Sequence, residues 1–313
     1  MRQQILTISL CCVFILSALS DVLSQPLHRT DLSNLRVNAF AQDSLGYIWI
    51  ATANGLCKSF GESYDVFFYD EADEHSIPSN LITGLYVDDA SKLWISTGKG
   101  ICSMARGKYE FHRYSQSTST GMESFFLGFV QYAGRIYTYG YNGLYEIDEK
   151  NKTLIPRIEV DRQVIYGAVT DSHGNLWLTN GAELIKLDRS LSLISKIVVG
   201  RDDVVNCMVS DREKILLGTE NGIKLLDLHS LEISDGDFPH ALDDLRINQM
   251  LPVDGGRKLL ISTRNKGALV YDMETRDVIS RYNNDEFADI PSVDINTAFV
   301  DKEKNVWFGT FDR

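Results

Sequence analysis

Apolar residues in this chain come in short blocks that read as strands. One kind of block is a near-continuous apolar run: Ile48-Trp49-Ile50-Ala51-Thr52, Leu93-Trp94-Ile95-Ser96-Thr97, Leu176-Trp177-Leu178-Thr179. Runs this short, bounded by turn residues, read as strands. Upstream lies a second block of β-branched and small residues, as in Val37-Asn38-Ala39-Phe40, Ile82-Thr83-Gly84-Leu85, Val205-Asn206-Cys207-Met208 and Ile295-Asn296-Thr297-Ala298. The Asp/Gly/Ser/Lys clusters between the two blocks are turn chemistry. After the apolar run, Asn54-Gly55, Asn142-Gly143 and Asn221-Gly222 predict tight hairpin turns, whose central residues must accept positive φ. A third strand follows, as at Gly222–Asp227, and a fourth is expected at Val66–Tyr69 and Tyr109–His112. No helical period competes over a useful length.

Aligned on the apolar run, the chain repeats itself. Asp43–Phe60 reads DSLGYIWIATANGLCKSF and Asp88–Met104 reads DDASKLWISTGKGICSM. Related segments begin at Asp171, Asp211, Asp254 and Asp301, with a degenerate copy at Gln131–Asp148. The Trp position is held by Trp49, Trp94, Tyr137, Trp177, Leu216, Leu260 and Trp307, at spacings of 45, 43, 40, 39, 44 and 47 residues. Seven units of this length, each with four short antiparallel strands, predict an all-β, seven-bladed β-propeller over residues 25–313, its last blade truncated. The Trp position is expected to fill the wedge between blades. Asp43, Asp88, Asp171, Asp211, Asp254 and Asp301 are expected to accept backbone N–H groups in their turns. One carboxylate per blade is spread around a ring, which assigns the series to structure and not to catalysis or a metal.

Arg2, the apolar run Ile5–Leu19 and the small and polar residues near Ser20 have the layout of a secretory signal. Residues 1–24 are therefore expected to be a signal peptide, or else an N-terminal anchor. A formal charge of −12 and a pI near 5.0 argue against a nucleic-acid surface and against docking on anionic lipid. Carbohydrate, peptide and protein ligands remain. The three cysteines beyond the leader (Cys57, Cys102 and Cys207) have no metal-site spacing and read as buried free thiols. No cofactor is implied.

Candidate ligand residues come from one alignment column at the start of each inner strand: Asn38, Thr83, Phe126, Tyr166, Asn206, Asn248 and Asn296. Its amides would set paired donors and acceptors at the mouth of the channel, which suits sugar hydroxyls. The competing reading has each Asn satisfy local backbone groups. The turns between second and third strands vary, with Lys99, Tyr141, Glu220 and Arg264 beside Asn265. Tyr141 and Arg264 join the candidate site. Tyr137, Tyr139 and Tyr141 could stack a sugar ring, although Tyr137 holds the wedge position.

The pattern D-x-x-G-x-[IL]-W-[IL]-x-T-x-x-G-[IL], almost intact at Asp43–Leu56 and partial at Asp88–Ile101, resembles the two-component regulator propeller repeat. The resemblance covers roughly residues 25 to 313. It implies the periplasmic sensor region of a bacterial hybrid two-component histidine kinase, responding to oligosaccharides from polysaccharide breakdown, with no catalysis in this chain. Implied partners are a small saccharide, an adjoining propeller, kinase and regulator domains, and a second copy in a homodimer; no nucleic acid is bound by this chain. The chain departs from the family pattern by stopping at Arg313, without kinase or receiver motifs. That implies a fragment or a shortened gene product, and Pro26–Leu32 is expected to return as an outer strand of the last blade. Two alternatives stand beside this: a propeller lyase or hydrolase, similar to streptogramin lyases, and a protein-interaction scaffold. Lyase chemistry would need two of His28, His75, His112, His173, His229 and His240 to converge.

Overall fold

The structure is a computed structural model that describes residues 15–17, 32–60, 63–105, 109–116, 125–200, 203–283 and 293–311. After a short strand β1 (Ile15–Ser17), antiparallel meanders follow one another, each made by one sequence unit. The first comprises β2 (Val37–Gln42), β3 (Ile48–Thr52), β4 (Gly55–Phe60) and β5 (Ser63–Phe67). The second comprises β6 (Ile82–Val87), β7 (Leu93–Thr97), β8 (Gly100–Met104) and β9 (Phe111–Gln116). In the third, β10 (Phe126–Tyr132), β11 (Arg135–Asp148) and β12 (Thr153–Val164) succeed one another. The long β11 contains the expected reversal, since Asn142 and Gly143 take φ of 66° and 139°.

The fourth meander is β13 (Gly167–Thr170), β14 (Leu176–Thr179), β15 (Glu183–Leu187) and β16 (Leu193–Val198). The fifth is β17 (Val205–Asp211), β18 (Lys214–Thr219), β19 (Gly222–Asp227) and β20 (Ile233–Ser234). The sixth is β21 (Ile247–Val253), β22 (Lys258–Thr263), β23 (Ala268–Asp272) and β24 (Asp277–Tyr282). Last come β25 (Ile295–Val300) and β26 (Asn305–Thr310). The strand paired to β26 on its far edge is β1, with Leu16 opposite Val306. The segment expected there, Pro26–Leu32, lies outside the described residues apart from Leu32. Fourth strands are also displaced from expectation, at Ser63–Phe67 and Phe111–Gln116. Beyond Phe67 the chain leaves the sheet, and the Tyr69 N–H turns to Asn80 Oδ1 at 2.7 Å.

Second strands are buried almost end to end, which is why they read as continuous apolar runs. Outer strands are half exposed, and β16 shows Leu193, Ile194 and Val198 to solvent.

Two compact units divide the chain, residues 1–128 with 282–313 and residues 129–281. In the first, Trp49 packs with Leu93, Ile95, Met104 and Phe111 between the first and second meanders. There Trp307 packs with Val37, Phe40, Ile48 and Ile50 between the last meander and the first. In the second unit, Tyr137 meets Leu176, Leu178 and Ile185, while Trp177 meets Val205, Ile215 and Leu217. Leu216 packs with Ile247, Leu259 and Ile261. Five of the Trp-position side chains (Trp49, Tyr137, Trp177, Leu216 and Trp307) thus fill the wedge toward the following meander, where apolar burial is the main source of stability.

The aspartates of the repeat do more than cap turns. Asp43 Oδ1 accepts the N–H groups of Leu45 and Tyr47, while Oδ2 takes the indole N–H of Trp49 at 3.0 Å. Asp88 and Trp94, Asp171 and Trp177, and Asp301 and Trp307 repeat the indole bond at 2.8, 2.8 and 3.0 Å. Where the Trp position is Leu, the turn expectation fails. Asp211 ends β17 opposite Lys214 across a two-residue turn, with Arg212 at φ 52°. Asp254 instead pairs with Lys258 at 2.8 Å. Without an indole donor, the carboxylate loses the partner that fixes its second oxygen.

Candidate functional site

First strands pack side by side, β2 against β6 and β25 in one unit, and β17 against β13 and β21 in the other. Their leading ends carry the amide column, and its geometry follows from a backbone irregularity. Register slips between Val37 and Ala39, Ile82 and Gly84, Val205 and Cys207, Ile247 and Gln249, and Ile295 and Thr297. Asn38, Thr83, Asn206, Asn248 and Asn296 are therefore the extra residues of five β-bulges. A bulge releases one residue from the ladder and re-aims its side chain.

The side chains so released reach the next meander. Asn296 Nδ2 donates to Val37 O (2.7 Å), Asn38 Nδ2 to Ile82 O (2.6 Å), Thr83 Oγ1 to Phe126 O (2.5 Å) and Asn206 Nδ2 to Ile247 O (2.9 Å). Each acceptor is the backbone carbonyl at or beside the start of the following inner strand. The column thus clasps neighbouring meanders together, a role assigned by geometry beside any contact with a ligand. At the far end of the same wedge, Gln42 holds the last meander to the first: its Nε2 donates to Glu303 Oε2 (2.8 Å) and its Oε1 accepts the Lys302 N–H (2.7 Å). Asn296→Ala is expected to cost about 1–2 kcal/mol by orphaning the Val37 carbonyl. A urea melt would show this as a lower midpoint at unchanged slope; an unaltered midpoint would remove the clasp from the stability account.

Four turns between second and third strands are fixed by a buried threonine that ends the second strand. The hydroxyls of Thr52, Thr97, Thr219 and Thr263 donate to the carbonyls of Gly55, Gly100, Gly222 and Gly267 at 2.8–2.9 Å. They also accept the N–H of Asn54, Lys99, Asn221 and Lys266. Side chains on these turns are thereby presented from a rigid frame, as recognition requires.

Two predicted site residues meet in the 129–281 unit. Glu220 Oε1 accepts from Asn206 Nδ2 at 3.0 Å and lies 4.0 Å from Arg264 Nη1. Arg264 and Glu220 remain partly open to solvent, at 46% and 30% side-chain exposure. Asn265 bridges the neighbouring loop, bonding Arg246 N–H and Asp244 O. Asn248 occupies the equivalent bulge of β21. Asn38 receives the Arg36 Nε–H at 3.1 Å, and that guanidinium lies 4.1 Å over the Phe311 ring. The tyrosine cluster is arranged differently from expectation. Tyr137 is buried and Tyr139 packs against the core, where burial pushes its phenol up to about 12. Tyr141, half buried, sits opposite Val164 across the reversal. Within the amide column the exposed aromatic ring is Tyr166, at 47%; Phe68, Tyr69 and Tyr109 are exposed elsewhere.

Two histidines meet away from this end. His75, in the loop after β5, and His112, on the outer strand β9, contact edge to face with centroids 6.2 Å apart. His173 lies 3.2 Å from Glu213, and His240 lies 2.9 Å from Asp243. His28 falls outside the described residues. Cys57 and Cys102 are buried free thiols and Cys207 is half buried, with burial raising all three.

Residues 31–54 match the two component regulator propeller family. The fold is similar to the extracellular domain assigned to the hybrid two component system BT3049 from B. thetaiotaomicron: TM-score 0.74, 19% identity, over 90% of this chain and 39% of that one. The extracellular domain of BT4673 from the same organism follows at TM-score 0.68 and 19% identity, over 88% and 37%. A catalytically inactive virginiamycin B lyase from Staphylococcus aureus, solved with quinupristin, aligns at TM-score 0.64 and 13% identity over 96% and 99%. These likenesses make the fold a β-propeller of four-stranded antiparallel sheets, carrying the two-component regulator propeller repeat. The chain spans about two fifths of the length of the two extracellular domains. No curated protein matches the sequence significantly. Among the described residues, no helix is long and apolar enough to cross a membrane.

Proposed function

We propose that this chain is the ligand-sensing propeller of a two-component signalling receptor, working in the periplasm, and that it binds oligosaccharides released from polysaccharides without transforming them. The observation that carries this reading is the Asn206–Glu220–Arg264 group at the leading end of the inner strands, half exposed and supported by threonine-anchored turns. An amide, a carboxylate and a guanidinium offer mixed donors and acceptors, which suits neutral polyhydroxy ligands better than a single-sign patch would. The repeat matched at residues 31–54 and the likeness to extracellular domains of two-component systems support the sensor assignment. Residues 1–24 serve as an export signal or an N-terminal anchor, and kinase and regulator domains are the downstream partners. Signalling requires the ligand to favour one of two receptor arrangements, since equal affinity for both shifts nothing.

Calorimetry of the full chain against oligosaccharides of two to six sugars, with product analysis of each mixture, tests this. Saturable binding with unchanged saccharide is the expected result. New products would favour the lyase reading, which the full-length likeness to virginiamycin B lyase and the His75–His112 contact keep in view. Absence of any binding would overturn the sugar-sensing assignment.

A further inference from the structure

The fourth meander breaks the pattern of the others by one residue. From Trp49 to the anchoring Thr52 is three steps, but from Trp177 to the anchoring Thr179 only two. With β14 shortened, Gly167 faces Thr179 in an unbroken register, and the bulge found in five other inner strands is absent. The Tyr166 N–H instead joins the ladder, bonding Thr179 O at 2.8 Å. Its side chain is not drawn toward a neighbouring carbonyl as Asn38, Thr83, Asn206 and Asn296 are. The ring lies against Gly181, with Cε2 and Cδ2 at 3.5 and 3.6 Å from where a Cβ on that glycine would stand. Val204, from the adjoining loop, has its Cγ1 3.2 Å from the same Cβ position and is itself 43% exposed. Gly181 holds φ at 91°, so this contact tolerates no larger residue without strain. An exposed tyrosine and an exposed valine thus share one patch, and Val205–Asn206 continues from it into the Glu220 and Arg264 group.

We propose that Tyr166 and Val204 form the apolar platform of a saccharide subsite, stacking on the C–H face of a pyranose ring, with Asn206, Glu220 and Arg264 binding its hydroxyls. The inference rests on the sugar-sensing reading and adds to it the residue that carries most of the contact area. An aromatic ring supplies a large rigid surface at small entropic cost, and its phenol makes no hydrogen bond to any described residue. Both features suit a ligand with one apolar face and a polar rim.

The test titrates the full chain with neutral and uronate-bearing oligosaccharides of two to six sugars, then repeats the tightest case with variants. Tyr166→Ala is expected to weaken binding at least tenfold with an unaltered melting temperature, because the ring is exposed. Tyr166→Phe should stay within about threefold of the native chain, and Tyr166→Trp should report binding through a change in its own fluorescence. If Tyr166→Ala binds like the native chain while Arg264→Ala does not, the platform is wrong and the sensor reading stands. If the native chain binds none of the saccharides, both fall.

Discussion

Replacing Trp177 by alanine is expected to cost the fold about 3–5 kcal/mol, the range for emptying a buried aromatic site. The indole is fully buried between the fourth and fifth meanders, against Leu184, Val205, Ile215, Leu217 and Leu226. Its removal has a second effect, because its N–H satisfies Asp171 Oδ2 at 2.8 Å. Burial pushes the Asp171 carboxyl up, but bonds from Trp177, Asn175 and the backbone outweigh this and hold it below the usual carboxylate range. Losing one donor leaves a buried anion short of a partner. Trp177→Phe should therefore recover only part of the loss, restoring apolar volume but not the bond. Urea midpoints for Trp177→Ala, Trp177→Phe and the pair with Asp171→Asn would separate the two effects, with about 1 kcal/mol of coupling expected between the sites. Native-like stability of Trp177→Phe would show the indole bond to be dispensable.

Gly143→Ala should be comparably damaging, at about 3 kcal/mol or more, for a different reason. The glycine stands at φ 139°, at the reversal inside β11, and a Cβ there would fall 1.8 Å from the Ile158 carbonyl oxygen. That oxygen belongs to backbone already committed to pairing with β11, so it cannot yield cheaply. Gly46→Ala is the control. Its φ is 91° but its Cβ would meet nothing within 4 Å, so only the conformational cost of about 1 kcal/mol is expected. Equal melting temperatures for the two variants would refute the collision.

Much of this architecture was legible in the sequence because the repeat is anchored on local chemistry. Buried second strands announce themselves as apolar runs, and Asn-Gly pairs mark the reversals. What escaped depends on contacts between units. An Asp six residues before a Trp looks like a turn residue until the indole is seen to reach back to it. Asp211 and Asp254 look identical in the alignment, yet lack that donor. The amide column was visible, but its carbonyl acceptors lie more than 40 residues away or, for Asn296, at the other end of the chain. Tyr137, Tyr139 and Tyr141 drew attention by clustering, whereas Tyr166, exposed like Phe68, Tyr69 and Tyr109, is set apart by its place beside an inner strand of unbroken register. Its signal was present in the sequence as one missing residue between Trp177 and Thr179.

The clasps at the bulges have a consequence for how such a chain could grow. In each, a side chain from one unit binds the main chain of the next, so only the donor's identity is specified. Any residue at the acceptor position offers the same carbonyl. A unit can then be duplicated, exchanged or allowed to drift without a matching change in its successor, provided it keeps its own amide or hydroxyl. Interlocking of this one-sided kind also lets a unit give up its own clasp, as the fourth does at Tyr166, while the main chain that it presents to its neighbours is unchanged.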